Sequence, residues 1–513
     1  MLLWLNLKRW LVDNDMAVDL YTLDKPGAYN LSECKIISYQ ETNTPTAEDK
    51  FKTLDILPIL RTLELTENLF SYALAGSIIV MDSQDFRTTL PITGMEKLSM
   101  QFNTPGLLGY DFTHETGVPF RIFKVNKVTI DPTNPKAQYY QIYFCSPESF
   151  ENMTESVQEA LTGPVEDGVY KMLRSKKYLN SKKRFYFEPT KTNTKYVIPS
   201  MKPYQTIGFL AKNAISAKYN NAGYMFYETA DGYHFRSLES LFSQGGGVLR
   251  KAKWNYQVQM VQTADSDNDV IPNVERRMMS IKSYEFESPI STLENIGQGM
   301  YANKLVVHDA FKKTITEHNF DYHNNFEKEY HAEPIGEGSS AFSIAPIVPF
   351  TKDGENIKAL SDLPNSKKMV MTETSKVHDK FEFVPTNDTL PKNISKNQVL
   401  KQNILNLNVY GKTDLRVGDI INVSLPLLRP TNPDEEEIPN PYYAGRYVIL
   451  AIKHIVAQET GSHDMIIKCM KDSVITPLPA SSESISDIGK DLTGEYSIYD
   501  LDESIPTSEF EPS

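Results

Sequence analysis

Along much of this chain, apolar side chains recur at every second position. In LRTLELTE, Leu63 and Leu65 stand between Thr62, Glu64 and Thr66. In KLSMQFN, Leu98, Met100 and Phe102 alternate with Lys97, Ser99 and Gln101. NILNLNVYG repeats the pattern with Leu405, Leu407 and Val409, and TDLRVGDIINVSLPL repeats it with Ile421, Val423 and Leu425. A period of two sends successive side chains to opposite faces of an extended strand, so one face enters a core and the other meets solvent or a partner. The chain is therefore predicted to be mainly β, with barrels or sandwiches rather than helical bundles.

The 513 residues suffice for several domains. Residues 28–150 are expected to form one antiparallel barrel. Near its end, IFKVNKVTI and QYYQIYFC flank the turn-forming DPTNPKA. The pattern then changes. SPESFENMTESVQEAL places Phe150, Met153, Val157 and Ala160 at helical spacing, after a Ser146-Pro147 start signal. VEDGVYKMLRSKKYL and TIGFLAKNAIS continue the helical pattern, so residues 151–250 read as a peripheral α+β domain. KWNYQVQMVQ resumes strand alternation. Residues 251–300 and 397–476 are expected to make a second barrel, split by an irregular, Pro-, Gly- and Ser-rich insertion at 301–396. Residues 477–513 form an acidic tail. The N-terminal arm, 1–27, opens with MLLWLNLKRWLVDND. Its apolar part is too short to span a bilayer, so no membrane insertion is expected, and Met16 is a candidate alternative start.

The stretch GYMFYETADGYHFRSLESLF, 223–242, crowds rings around an Asp-Gly. Tyr224 and Phe226 on one run, Tyr233 and Phe235 on the next, read as a packed hairpin turning at Gly232, which is free to take positive φ. Stacked nucleobases would need more neighbouring cations than Arg236. The net charge of −13 argues against a broad nucleic-acid surface and against anionic lipid. Cys34, Cys145 and Cys469 are far apart and read as core residues of a chain that folds in a reducing cytoplasm.

Signals for chemistry are sparse. There is no H-E-x-x-H, G-x-S-x-G or P-loop, and GEGSSA at 336–341 lacks the strand–turn–helix context of a dinucleotide site. TEHNFDYHNNFEKEYH supplies weak metal candidates in His318, His323 and His331, although the spacing of five between the first two does not align them on one helical face. The other histidines, His454 and His463 among them, stand alone. No catalytic residue and no cofactor is assigned. Gly418 with Asp419, ahead of the Ile421–Leu425 strand, and Gly445, ahead of Tyr447–Ile452, are read as structural turn residues.

Three stretches resemble the baseplate hub proteins of contractile-tailed, myovirus-type bacteriophages. They are KPYQTIGFLAKNAISAKYNNAGYMFYETADGYHFRSLESLF (202–242), GKTDLRVGDIINVSLP with YYAGRYVILAIKHIV and KCMKDS, and the region of ILPILRTLELTENLFSYALAGSIIVMD (56–82). The resemblance implies a non-enzymatic homotrimer in the virion, assembled in the host cytoplasm. Each chain would contribute two similar tube-type barrels. The implied partners are the tail tube protein, the central spike and other baseplate proteins, with DNA only in transit. The alternatives are an envelope-degrading tail hydrolase, or the spike-carrying hub of a related injection system.

Overall fold

The computed structural model describes residues 25–41, 51–84, 86, 92–116, 118–130, 137–191, 193–245, 248–258, 274, 276–288, 291–310, 312–326, 328–333, 342–343, 351–352, 355–356, 364–372, 386–427 and 440–474. The residues before 25, the GEGSSA stretch and the acidic tail lie outside this set.

The first barrel contains β1 (Asn30–Glu41), β2 (Phe51–Asp55), β3 (Leu60–Asn68), β4 (Ala75–Asp82), β5 (Lys97–Asn103), β6 (Tyr110–Phe112), β7 (Phe120–Ile130) and β8 (Gln138–Cys145). Every pairing among them is antiparallel. The order is β2-β1-β5-β7-β8-β4-β3, with β6 beside β5. The alternating residues point inward: Leu63, Leu65, Leu98, Met100 and Phe102 share one buried core with Ile78, Ile142 and Phe144. The wall is not laddered all the way round. Among the described residues, β1 and β3 are bridged by β2 and a short turn at Leu57–Ile59, where the Ile56 amide donates to the Cys34 carbonyl at 3.0 Å.

The peripheral unit follows, with α1 (Glu148–Thr154), β9 (Ala160–Pro164), α2 (Val165–Arg174), β10 (Phe185–Phe187), β11 (Asn193–Val197), α3 (Pro203–Lys212), β12 (Tyr224–Thr229), β13 (Gly232–Ser237) and α4 (Glu239–Phe242). One helix is shorter than its spacing predicts. α1 stops at Thr154, Glu155 is extended, and the Val157 amide donates to the Met201 carbonyl at 2.7 Å. Ala160 opens β9, which pairs with β11. Local helical periodicity was overridden by a strand partner distant in sequence.

Then come β14 (Trp254–Val258) and β15 (Ser280–Ser288). Next is α5 (Thr292–Gln298); in the insertion lie β16 (Ala302–Asp309), β17 (Thr314–Asp321), α6 (Tyr322–Phe326) and β18 (Lys368–Thr372), and α7 (Thr386–Val399) runs across its end. After it come β19 (Ile404–Tyr410), β20 (Ile420–Ser424), β21 (Gly445–Ala457) and β22 (Ser462–Met470). Strands β14, β15 and β19–β22 close a six-stranded ring in the order β21-β20-β14-β15-β19-β22, with β22 returning to β21. Thus the mainly β class with α+β insertions is the observed one. One strand departs from the antiparallel rule: β14 runs parallel to both neighbours. Parallel neighbours need a long crossover, and 21 residues separate Val258 from Ser280. The insertion is also more ordered than its composition implies, since β17-β16-β18 form a three-stranded sheet.

The two barrels belong to one continuous sheet, and β21 joins them. Its residues Gly445–Val448 pair with β20 of the second barrel, while Ala451–Ala457 pair with β3 of the first. Along its other edge β21 pairs with β22. Ile449, Leu450 and Ile452 pack in the second core, and Val456 packs in the first.

Candidate functional site at the barrel junction

Where β21 changes partner, three units meet around a buried polar group. Glu67 ends the inward row of β3 after Leu63 and Leu65, and it is wholly buried. The Tyr110 hydroxyl, from β6, donates to Glu67 at 3.1 Å and lies 2.8 Å from His454 Nε2 on β21. His454 Nδ1 lies 3.0 Å from His463 Nε2 on β22. One run of donors satisfies this line with both imidazoles neutral: His463 to His454, His454 to Tyr110, Tyr110 to Glu67.

The peripheral hairpin closes the group from outside. Its turn donates the Ala230 amide to Glu67 at 3.0 Å, and Asp231 pairs with Arg416 at 3.3 Å. Arg416 also sits 4.7 Å above the Tyr110 ring, and its neighbour Val417 donates an amide to Glu67 at 3.3 Å. Burial pushes Glu67 up to about 7, while Arg416 and the two amides pull it down. Burial holds His454 well below its ordinary range, helped by His463 and Arg416, and it takes His463 down to about 3. Burial opposes the charge on Arg416, but Tyr110, Asp231 and Glu67 outweigh it and the net shift is upward. These residue types resemble acid–base machinery, yet Glu67, Tyr110, His454 and His463 are all sealed from solvent. What the arrangement does is tie together two barrels and a hairpin.

Gly418 and Asp419 lie at the same switch. The Gly418 amide donates to the Ile449 carbonyl at 2.8 Å, and the Ile449 amide donates to the Asp419 carbonyl at 3.0 Å. Gly418 has φ +84°, and a Cβ there would stand 3.0 Å from Leu241 and from the Tyr227 hydroxyl. The Asp419 carboxylate accepts the Arg416 amide at 3.0 Å and faces Lys253 and Arg250. Gly445 opens β21 itself, with φ +125°, against the side chains of Glu333 and Lys471.

Tyr224, Phe226, Tyr233 and Phe235 are all buried. Phe226 stacks on Tyr233 at 5.2 Å, and Tyr224 meets Phe235 at 4.7 Å. The rings form a core, not an open platform. The β12–β13 register runs from Tyr224 opposite Ser237 to Thr229 opposite Gly232. Gly232 has φ +138°, and a Cβ would collide with the Arg184 carbonyl. Next to the hairpin's turn, Glu228 bonds buried Lys183, which also pairs with Glu148 at 2.7 Å, and accepts the Leu74 amide of the first barrel at 2.9 Å.

The three histidines of the metal candidate do not converge. His318 lies on β17 opposite Leu305. His323, on α6, is half-buried beside Tyr301 and Tyr322. His331 is buried and fully engaged, 2.8 Å from Asp472 and 2.7 Å from the Phe326 carbonyl. Burial works against its charge, but Asp472 prevails and raises its pKa. Among the described residues, no group of three His, Cys, Asp or Glu side chains is placed to hold a metal ion.

No family model and no curated protein matches the sequence. Several solved structures are similar in fold. A tail protein from Neisseria meningitidis is similar over 87% of this chain and 97% of its own, with 8% identity and a TM-score of 0.46. A 43 kDa tail protein of prophage MuSo2 from Shewanella oneidensis is similar over 86% and 98%, with 8% identity and a TM-score of 0.45. An Escherichia coli protein is similar over 82% and 76%, with 10% identity and a TM-score of 0.37. It is described as a type VI secretion component with structural similarity to bacteriophage T4 tail proteins.

Proposed function

We propose that this chain is the structural hub of a phage tail baseplate. Three copies form a ring, joining the tail tube on one side to the central spike on the other. The role is non-enzymatic: the ring matches a sixfold tube to a threefold spike and stays rigid while DNA passes. One observation carries this reading: each chain holds two β-barrels in one sheet through a shared strand. Three such chains present six barrels with threefold symmetry, so similar contacts recur six times round a ring. The buried junction supports a rigid role, since Glu67, Tyr110, His454 and Arg416 fix the barrels and the hairpin to one another.

Native mass spectrometry and electron microscopy of the purified full chain test the reading. The expected result is a trimer whose images show a ring of six similar lobes. A monomer at all concentrations that does not bind tail tube protein would overturn it. Reproducible clearing of peptidoglycan, lost on changing one carboxylate or histidine, would overturn the non-enzymatic part.

A further inference from the structure

On the outer side of the junction, α7 and the loop after β3 enclose a groove of about 620 Å3. Phe70 lines it and is 55% exposed; half-buried Ile394 adds apolar surface. The lysines in and around it divide into two kinds. Lys392 pairs with Glu329 at 3.3 Å, Lys396 with Glu239 and with Glu329, and Lys468 with Glu287 at 2.6 Å. Lys367 and Lys401 also line the groove, but no acidic residue pairs with either among the described residues. An occupant that satisfies this surface is acidic and carries interspersed apolar side chains.

The chain itself contains such a segment. Residues 475–513 hold nine acidic residues and one lysine, a net −8 of the whole chain's −13. Within them, EYSIYDLDE at 495–503 interleaves Tyr496, Ile498, Tyr499 and Leu501 with Glu495, Asp500, Asp502 and Glu503. The described chain ends at Val474, six residues beyond Lys468, which is in the groove wall. Six residues extend at most about 20 Å, and the 21 from Val474 to Glu495 reach up to about 70 Å, so the connection is long enough.

We propose that residues 495–503 of the same chain occupy this groove, setting carboxylates on Lys367 and Lys401 and apolar side chains on Phe70 and Ile394. The segment would brace the insertion against the barrel junction, whether or not the chain is a hub.

Zero-length carbodiimide crosslinking of the full chain, followed by peptide mass spectrometry, tests this. An equal mixture of 15N-labelled and unlabelled protein separates contacts within a copy from contacts between copies. The expected result is crosslinks from Lys367 or Lys401 to acidic residues of 495–503 within one copy, with yield falling steeply as salt rises. The K367E/K401E variant should lose them while its barrels stay folded by circular dichroism. Adding D500K/D502K should restore crosslinks in the reversed sense. Crosslinks only between copies, crosslinks of the segment to other lysines instead, or none at all would each overturn the proposal.

Discussion

The two barrels solve the same problem differently. The second is split in sequence by an insertion, yet its ladder closes completely through six strands. The first is contiguous in sequence, yet β3 never ladders to β1 among the described residues, and a short turn and β2 span the seam. The free edge of β3 is used elsewhere: seven consecutive positions pair with β21. A sheet edge is a row of unmet donors and acceptors, and here the first barrel's edge becomes the attachment to its neighbour. One barrel closes on itself; the other gives up closure to be joined.

The sharpest way to break this comparison is to cut the polar junction. Arg416→Ala removes the buried guanidinium that donates to the Thr413 and Leu415 carbonyls and pairs with half-exposed Asp231. Hydrogen bonds to a charged group are worth about 1.5–3 kcal/mol each. Denaturant melts should show that loss, together with a split into two transitions, the first barrel separating from the second. A single undiminished transition would mean that the ladder alone holds them.

Gly232→Val tests the hairpin that caps the junction. A branched side chain at positive φ, facing the Arg184 carbonyl, should destabilise by about 1–3 kcal/mol. Unchanged thermal melting would show that the turn tolerates a side chain there.

Two opposed proton linkages run through the same group. The pKa values of His454 and His463 are lowered on folding, so the stability they confer is complete above their ordinary 6.5 and is lost as pH falls, toward about 3 for His463. Glu67 is raised from 4.5 to about 7, so its contribution is complete below 4.5 and is lost as pH rises through 7. Between pH 6.5 and 4.5 Glu67 offsets one of the two histidines, so unfolding still takes up one net proton. Glu67→Gln removes that offset and should roughly double the slope of acid destabilisation in this window, from about 1.4 to about 2.7 kcal/mol per pH unit, in denaturant titrations. An unchanged slope would assign the acid response elsewhere.

The smallest effect belongs to Lys453→Ala. Its ammonium pairs at 3.0 Å with Glu64 across the join, but both side chains are about a third exposed. The expected loss is below about 1 kcal/mol and should disappear in high salt. A larger loss would mean that side chains, rather than backbone pairing, carry the contact.

Much of the architecture was readable because period-two alternation reports which face is buried. Leu405, Leu407 and Val409, like Ile421, Val423 and Leu425, alternate in sequence and are buried. Alternation does not report strand direction, so the parallel setting of β14 was invisible. Nor does it report partners, so the double use of β21 was unreadable too. The junction residues do leave a trace in the sequence. Glu67 follows Leu63 and Leu65 in the inward parity of β3. His454 lies between Ile452 and Val456 in that of β21, and His463 precedes Met465 and Ile467 in that of β22. A charged or titratable side chain on the apolar face of a strand has to find a partner indoors. Three such interruptions in two barrels would have pointed to one another. The histidines of 318–331 are dense in sequence, although each belongs to a separate local setting.

The pairing of β3 with β21 has a consequence for how the polypeptide emerges from the ribosome. Residues 60–68 are made early, but their partner begins only at Gly445. At roughly 5–20 residues per second, translation of the intervening chain takes roughly 20–75 s. For that time the nascent first barrel keeps an open flank, exposed to any neighbouring chain in the polysome. Glu64, on the outward side of that strand, is the kind of charged residue that discourages mispairing while it waits.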